Sequence, residues 1–221
     1  MVLEEVLLMK VLIIGAHGKV GRLLVDELKS RKIDFAAGLR KEEQINAYQA
    51  EGIPTQYIDL TASPKDIQNS IAESGADTIV FSAGAGGAGY DKTIEIDLDG
   101  AIKTMDAAQI LGIKRYVMVS AVYSDDRTKW EASGIRPYYV AKHYADKYLR
   151  STNLDYTIVH PGTLTDDPAT GKVNIQSNYE GGSVARADVA KVIAQAIQTP
   201  SSIKNEYNFS SGDQAIQDVI R

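Results

Sequence analysis

The sequence predicts an α/β fold in which helices flank an open, doubly wound parallel sheet, and three features carry that expectation. Short apolar runs recur along the chain, amphipathic segments separate them, and glycines interrupt the chain directly after the first run. The runs cover 11–14, 35–39, 57–60, 78–81, 116–119 and 156–159. They are near-continuous rather than alternating, as expected of strands covered by helices on both faces. Within 19–31, Val20, Leu23, Leu24 and Leu28 fall at helical spacing and leave Arg22, Asp26, Lys29 and Ser30 for water. The segment 93–111 repeats the pattern with Ile94, Leu98, Ile102, Met105 and Ile110. Sustained β-α alternation implies right-handed crossovers between parallel strands. From 161 to 182 the periodicity lapses into turn formers, PGTLTDDPATGKVNIQSNYEGG, which predicts an irregular loop on the substrate side of the sheet. A helix resumes over 186–198, and 206–209 with the residues after it predicts a last strand and helix. One domain spanning 1–221, with a small C-terminal substrate region, accounts for this pattern.

Composition narrows the classes of function. A net charge of -5 leaves no basic stripe for a polyanion, so no nucleic-acid partner is expected. The absence of cysteine removes disulfides, thiolate metal sites and thiol nucleophiles together. His17, His143 and His160 share no ligand spacing on one element, so no metal is expected either. The start, MVLEEVLLMK, puts glutamates before the apolar residues, unlike a secretory signal, and cytoplasmic residence is the expectation. No apolar run approaches the ~18 to 20 residues of a membrane-spanning helix.

The glycines have a physical explanation. In MKVLIIGAHGKVGRLLVDEL, Gly15, Gly18 and Gly21 follow an apolar strand and open a helix. In that position one glycine permits the tight turn, one lets backbone approach a pyrophosphate, and one packs helix against sheet. The phosphates would rest on backbone amides of His17, Gly18, Lys19, Val20 and Gly21 at the helix N-terminus. A glycine-rich packing turn without ligand is the alternative. The tip of the second strand reads FAAGLRKEEQ, with no acid at Gly38 or Leu39 and with Arg40 following. An acid there grips the ribose 2′-hydroxyl of NAD, whereas arginine accepts the 2′-phosphate of NADP, so NADP(H) is favoured over NAD(H). The other reading leaves Arg40 in solvent at the start of a helix, with Glu42 or Glu43 on the ribose.

With these motifs in place, the chain resembles the short-chain dehydrogenase/reductase superfamily, in its extended and atypical NAD(P)H-binding branches, with a Rossmann-type fold. IGAHGKVGR resembles the glycine loop and YIDLT the segment after the third strand; VFSAGAGG resembles the fourth-strand motif. YYVAKHYAD and YTIVHPGTLTD resemble the catalytic helix and the Pro-Gly turn after the sixth strand. The resemblance implies that Asp59, beside Leu60, contacts adenine and that Ser82, Ala83 and Gly84 line the cofactor. It implies the same for Pro161, Gly162 and Thr163 near the nicotinamide. Asp97 stands where many extended members carry Asn, and His160 where relatives often carry Arg.

The resemblance also implies a proton-transfer set of Ser120, Tyr138 and Lys142, with Lys142 holding the nicotinamide ribose as well. The chemistry stands on its own terms, because a tyrosine is a poor base at neutral pH unless a cation stabilises its phenolate. Residues i and i+4 share a helix face, so Tyr138 and Lys142 can meet. With 12 tyrosines in the chain the spacing alone carries little information. Its location on the helix after the fifth strand is what singles it out. Tyr139 is the rival proton donor, about 100° round the helix. The functional expectation is an NADP(H)-dependent oxidoreductase acting on a small carbonyl or quinone-like molecule. The alternative is a non-catalytic NADP(H)-binding redox sensor or regulatory protein.

Overall fold

The structure, a computed structural model, describes residues 9–177 and 181–221. The acidic start used to argue against a secretory signal, over 1–8, and residues 178–180 of the expected irregular loop lie outside the described residues.

The first part of the chain runs β1 (Lys10–Ile14), α1 (Lys19–Ser30), β2 (Asp34–Leu39), α2 (Glu42–Ala50), β3 (Thr55–Tyr57), α3 (Pro64–Ser74) and β4 (Thr78–Phe81). One turn, α4 (Tyr90–Lys92), leads into a π-helical segment, Thr93–Gly100, and on to α5 (Ala101–Leu111), β5 (Arg115–Val119), α6 (Arg127–Trp130), α7 (Arg136–Ser151) and β6 (Asp155–Pro161). The remainder is β7 (Thr163–Thr165), β8 (Lys172–Ile175), β9 (Ser183–Ala185), α8 (Arg186–Gln198), β10 (Asn205–Ser211), β11 (Gln214–Ala215) and α9 (Ile216–Val219).

Nine strands form one sheet in the order β11-β8-β10-β6-β5-β4-β1-β2-β3. All pairings from β10 across to β3 are parallel, and β8 runs antiparallel to both β10 and β11. Helices cover both faces, giving the Rossmann-type doubly wound architecture that the periodicity predicts. Alternate residues of β1 serve opposite layers: Val11 and Ile13 pack with Leu24, Val25 and Ile193, while Leu12 and Ile14 pack with Ile67, Met105 and Leu149. This two-sided burial is why the run at 11–14 contains no polar residue. The order of strands reverses at β1, between β2 and β4, so the loops after β1 and β4 diverge and open a crevice at the carboxyl edge.

Three expectations are corrected. The third strand is Thr55–Tyr57 rather than 57–60. Pairing with Ala37 to Leu39 makes a strand of a polar edge segment, while Ile58 and Leu60 bury themselves beyond it. The helix over 93–111 begins as a π-helix and buries a different stripe from the expected one. Ile94 and Ile110 are exposed, and the inward stripe is Asp97, Ala101, Thr104, Met105 and Ala108. Finally, the stretch 161–182 contains β7 and β8, with Val173 buried against the sheet.

Candidate functional site

The crevice is built first by glycine. Gly15 adopts φ +89° at the tip of β1, and a Cβ there would lie 2.6 Å from the Ala83 nitrogen. A Cβ on Gly21 would lie 2.2 Å from the Gly15 carbonyl oxygen, so this helix approaches the strand only because Gly21 has no side chain. Gly18 caps α1 in an extended conformation without a side-chain cap. Its N–H donates to the Gly15 carbonyl at 3.0 Å, and Arg22 N–H donates back to the Gly18 carbonyl at 2.8 Å. The amides of Lys19, Val20 and Gly21 therefore precede the first intrahelical bond and have no acceptor within the helix. From α2, the Tyr48 hydroxyl donates to the Ala16 carbonyl at 2.9 Å and secures the loop from the other side.

Two contiguous clefts meet at Gly18, Ser82, Ala83 and Gly84. The smaller, of about 270 Å³, is lined by Gly15, His17, Arg40, Asp59 and Leu60 among others. Asp59 accepts from the Thr61 amide at 2.9 Å, which shapes the turn after β3. Arg40 is exposed at the cleft wall, whereas Glu42 and Glu43 do not line it. The larger cleft, of about 680 Å³, is lined by Lys19, Val20, Asp97, Tyr138, Lys142 and Arg186, with the glycine-rich loop after β4 as one wall. Where the two join, the buried Ser82 hydroxyl oxygen has no hydrogen-bond partner. A backbone cradle that Cβ atoms would fill, helix amides without acceptors and an orphaned hydroxyl together fit a dinucleotide.

At the base of the larger cleft lies a buried ion pair. Lys142 Nζ is 3.1 Å from Asp97 Oδ1, with both side chains almost wholly removed from solvent. Lys142 also donates to the Val119 carbonyl at 3.2 Å, and Asp97 Oδ2 accepts the Ala85 amide at 2.8 Å. The π-helical turn thus delivers one carboxylate to both the lysine and the loop after β4. Burial works against the Lys142 charge, but Asp97, Tyr138 and Asp146 together outweigh it and the ammonium is held above its ordinary pKa. Tyr138 lies with its ring centroid 5.7 Å from Lys142 Nζ. Burial raises the phenol pKa; Lys142 opposes the shift, and Asp97 reinforces it. The phenol consequently keeps its proton at neutral pH.

Several expected residues are placed elsewhere. The Ser120 hydroxyl donates to Asp146 Oδ2 at 2.6 Å inside the protein, and Ser120 lines neither cleft. The Gly162 amide donates to Phe209 and the Thr163 amide to Gly182, so both serve the protein's own ladders. Of this segment Leu164, rather than Pro161, Gly162 or Thr163, reaches the larger cleft. Tyr139 is buried edge-on to Tyr138, with centroids 5.6 Å apart, and lines neither cleft. His160 faces a separate polar cavity, where its Nε2 lies 3.0 Å from Glu206. Its Nδ1 lies 3.2 Å from the Ala121 carbonyl, so both ring nitrogens face acceptors. Burial would raise the Glu206 carboxyl, but hydrogen bonds from Arg150 and His160 hold it at about 2.

Sequence reasoning missed Leu164 and the reach of Arg186. Asp166 bridges Lys19 and Arg186, each at 2.6 Å, and ties the segment after β7 to the glycine loop. Asp188, in the first turn of α8, is fully buried and accepts the amides of Thr170 and Gly171. The acid at the start of α8 was the visible signal; its target was not.

Residues 15–200 match the family model described as NAD(P)H-binding. The chain is 41% identical over 215 residues to the "uncharacterized sugar epimerase YhfK" of Bacillus subtilis, covering 96% of this chain and 99% of that protein. Among solved structures, a putative NAD-dependent epimerase/dehydratase from Bacillus halodurans matches at 39% identity with TM-score 0.88, covering 96% of this chain and 98% of that one. The oxidoreductase ylbE from Lactococcus lactis matches at 32% identity with TM-score 0.84, covering 96% and 95% respectively.

Proposed function

The chain belongs to the NAD(P)H-binding family, and on that premise we propose that it is an NADP(H)-dependent oxidoreductase that reduces a carbonyl or quinone-like substrate. The observation that carries this reading is the placement of a protonated Tyr138 beside the Asp97–Lys142 pair, in a cleft continuous with the glycine loop. Lys19, Val20 and Gly21 would hold the diphosphate on their amides, and Arg40 the 2′-phosphate at the adenosine end. Asp59 and Leu60 would border the adenine. NADPH, when bound, supplies two electrons and a hydrogen to the substrate carbon.

Tyr138 then delivers its proton to the substrate oxygen as negative charge develops there. The phenol holds the proton that this donation requires; burial makes it a weaker acid, and Lys142 opposes that effect. Lys142, kept charged by Asp97, stands ready to stabilise the phenolate left behind. Leu164 brings the segment after β6 to the same cleft, which supports reading 161–182 as substrate-side structure within one domain.

One observation favours the alternative of a non-catalytic NADP(H) sensor: Ser120, the expected partner at the carbonyl, is engaged by Asp146. NADPH consumption with a panel of aldehydes, ketones and quinones distinguishes the readings. Wild type should turn over an acceptor. Tyr138→Phe should lose about 10²- to 10⁴-fold in kcat while binding NADPH normally by calorimetry. Equal turnover in the two proteins would remove Tyr138 from the chemistry.

A further inference from the structure

The larger cleft is divided by charge. Lys19 and Arg186 line it together with Gly18 and Val20, on the side of the glycine loop, and Asp166 spans the two cations. Asp97 and Lys142 neutralise each other at its base. The remaining wall, formed by Ala85, the glycines at 86, 87 and 89, Tyr90, Thr93, Ile135 and Tyr138, carries no charged side chain among its described residues. Two cations close by in sequence are paired with acids, Lys92 with Glu95 and Arg136 with Glu131.

That wall is also where apolar surface is left open. Tyr90 is 58% exposed and Ile135 46% exposed, and both line the cleft. Isolated apolar side chains on a surface mean little, but two large ones lining one concave site mark a place for apolar ligand. Between them, the glycine loop presents bare peptide. Gly86, Gly87 and Gly89 have φ of +60°, +85° and +107°, a conformation that selects glycine.

Resting on the oxidoreductase reading above, we propose that the substrate is an electrically neutral carbonyl compound conjugated with an apolar ring system. Its ring lies between Tyr90 and Ile135, and its oxygen meets the Tyr138 hydroxyl. In the reaction the substrate carbon gains a hydrogen and two electrons from reduced nicotinamide, which is left oxidised. The oxygen gains the Tyr138 proton, which water restores. A sugar nucleotide does not suit this wall, because its diphosphate needs cationic donors that the described residues there do not offer.

The test uses menadione, a sulfonated menadione of the same ring size, and uridine diphosphate glucose, with full-length protein. By calorimetry in the presence of NADP, menadione should bind, and Tyr90→Ser with Ile135→Ser should weaken it about tenfold or more without changing NADP affinity. The sulfonated ring should bind about tenfold more weakly than menadione, and Ile135→Lys should reverse that order. Preference of wild type for the sulfonated ring, interconversion of the sugar nucleotide, or menadione binding indifferent to Tyr90 and Ile135 would each overturn the proposal. Failure of the oxidoreductase reading appears separately, as menadione binding that depends on Tyr90 and Ile135 but is never accompanied by NADPH consumption.

Discussion

Lys142 and Asp97 form a salt bridge of 3.1 Å in which both partners are almost wholly buried, and the two come from α7 and the π-helical segment, which pack against each other. A buried pair of this kind is costly to break and cheap to replace, because a lone buried charge loses both water and partner. Asp97→Asn should therefore destabilise the protein by about 3–5 kcal/mol. The double variant Asp97→Asn with Lys142→Met should recover most of that loss. Urea denaturation of the four proteins in the cycle measures both; a double variant no more stable than the single one contradicts the account.

Gly21 tests the glycine cradle. An alanine Cβ would sit 2.2 Å from the Gly15 carbonyl oxygen, so Gly21→Ala must push α1 from β1. A loss of about 1–3 kcal/mol in stability is expected, together with NADPH affinity. Gly18→Ala, whose Cβ would lie 3.3 Å from the same oxygen, should be milder in both respects. Denaturation and calorimetry of the two variants would expose an error if their order were inverted.

Arg40 tests cofactor choice. Arg40 lines the smaller cleft, which it shares with Asp59, and a 2′-phosphate would give it an anionic partner. Arg40→Ala should weaken NADPH by about 10- to 100-fold and leave NADH within about twofold. Equal weakening of both nucleotides would point to Glu42 or Glu43 and the ribose instead.

The polar network behind β6 sets a pH window for stability. The Glu206 carboxyl is held at about 2 against an ordinary 4.5, so its contribution is complete above pH 4.5 and is lost as pH falls toward 2. That shift corresponds to roughly 3 kcal/mol. His160 has the opposite sign: burial disfavours its charge, but Glu206 and Asp146 raise it above the ordinary 6.5. Its contribution is complete below pH 6.5 and fades as pH rises through the raised value. Glu206→Gln should flatten the acid limb of a plot of unfolding free energy against pH, and an unchanged limb would refute the assignment.

The strands at the centre of the sheet were legible because both their faces are buried, which leaves an unbroken apolar run such as 11–14. Strands toward the ends of the sheet were not: Thr55–Tyr57 and Lys172–Ile175 are short, owe their conformation to partners distant in sequence, and lack an unbroken apolar run. The glycine loop could be located because its demands are local and steric. The role of Asp97 was not legible: it falls on the buried stripe with Ala101, Thr104, Met105 and Ala108, and its partner Lys142 comes from a helix distant in sequence. Ser120 illustrates the same difficulty. Its place at the end of β5 was readable, but the direction of its hydroxyl was decided by Asp146, from a different helix.

The bond from the Tyr48 hydroxyl to the Ala16 carbonyl has a mechanical consequence. Tyr48 belongs to the helix that begins two residues after Arg40, so a single phenol ties the spacing of the two proposed recognition points, Arg40 and the loop after β1. A nucleotide therefore meets a gauge already set to length, and the ordering that binding would otherwise demand of the loop has been done during folding.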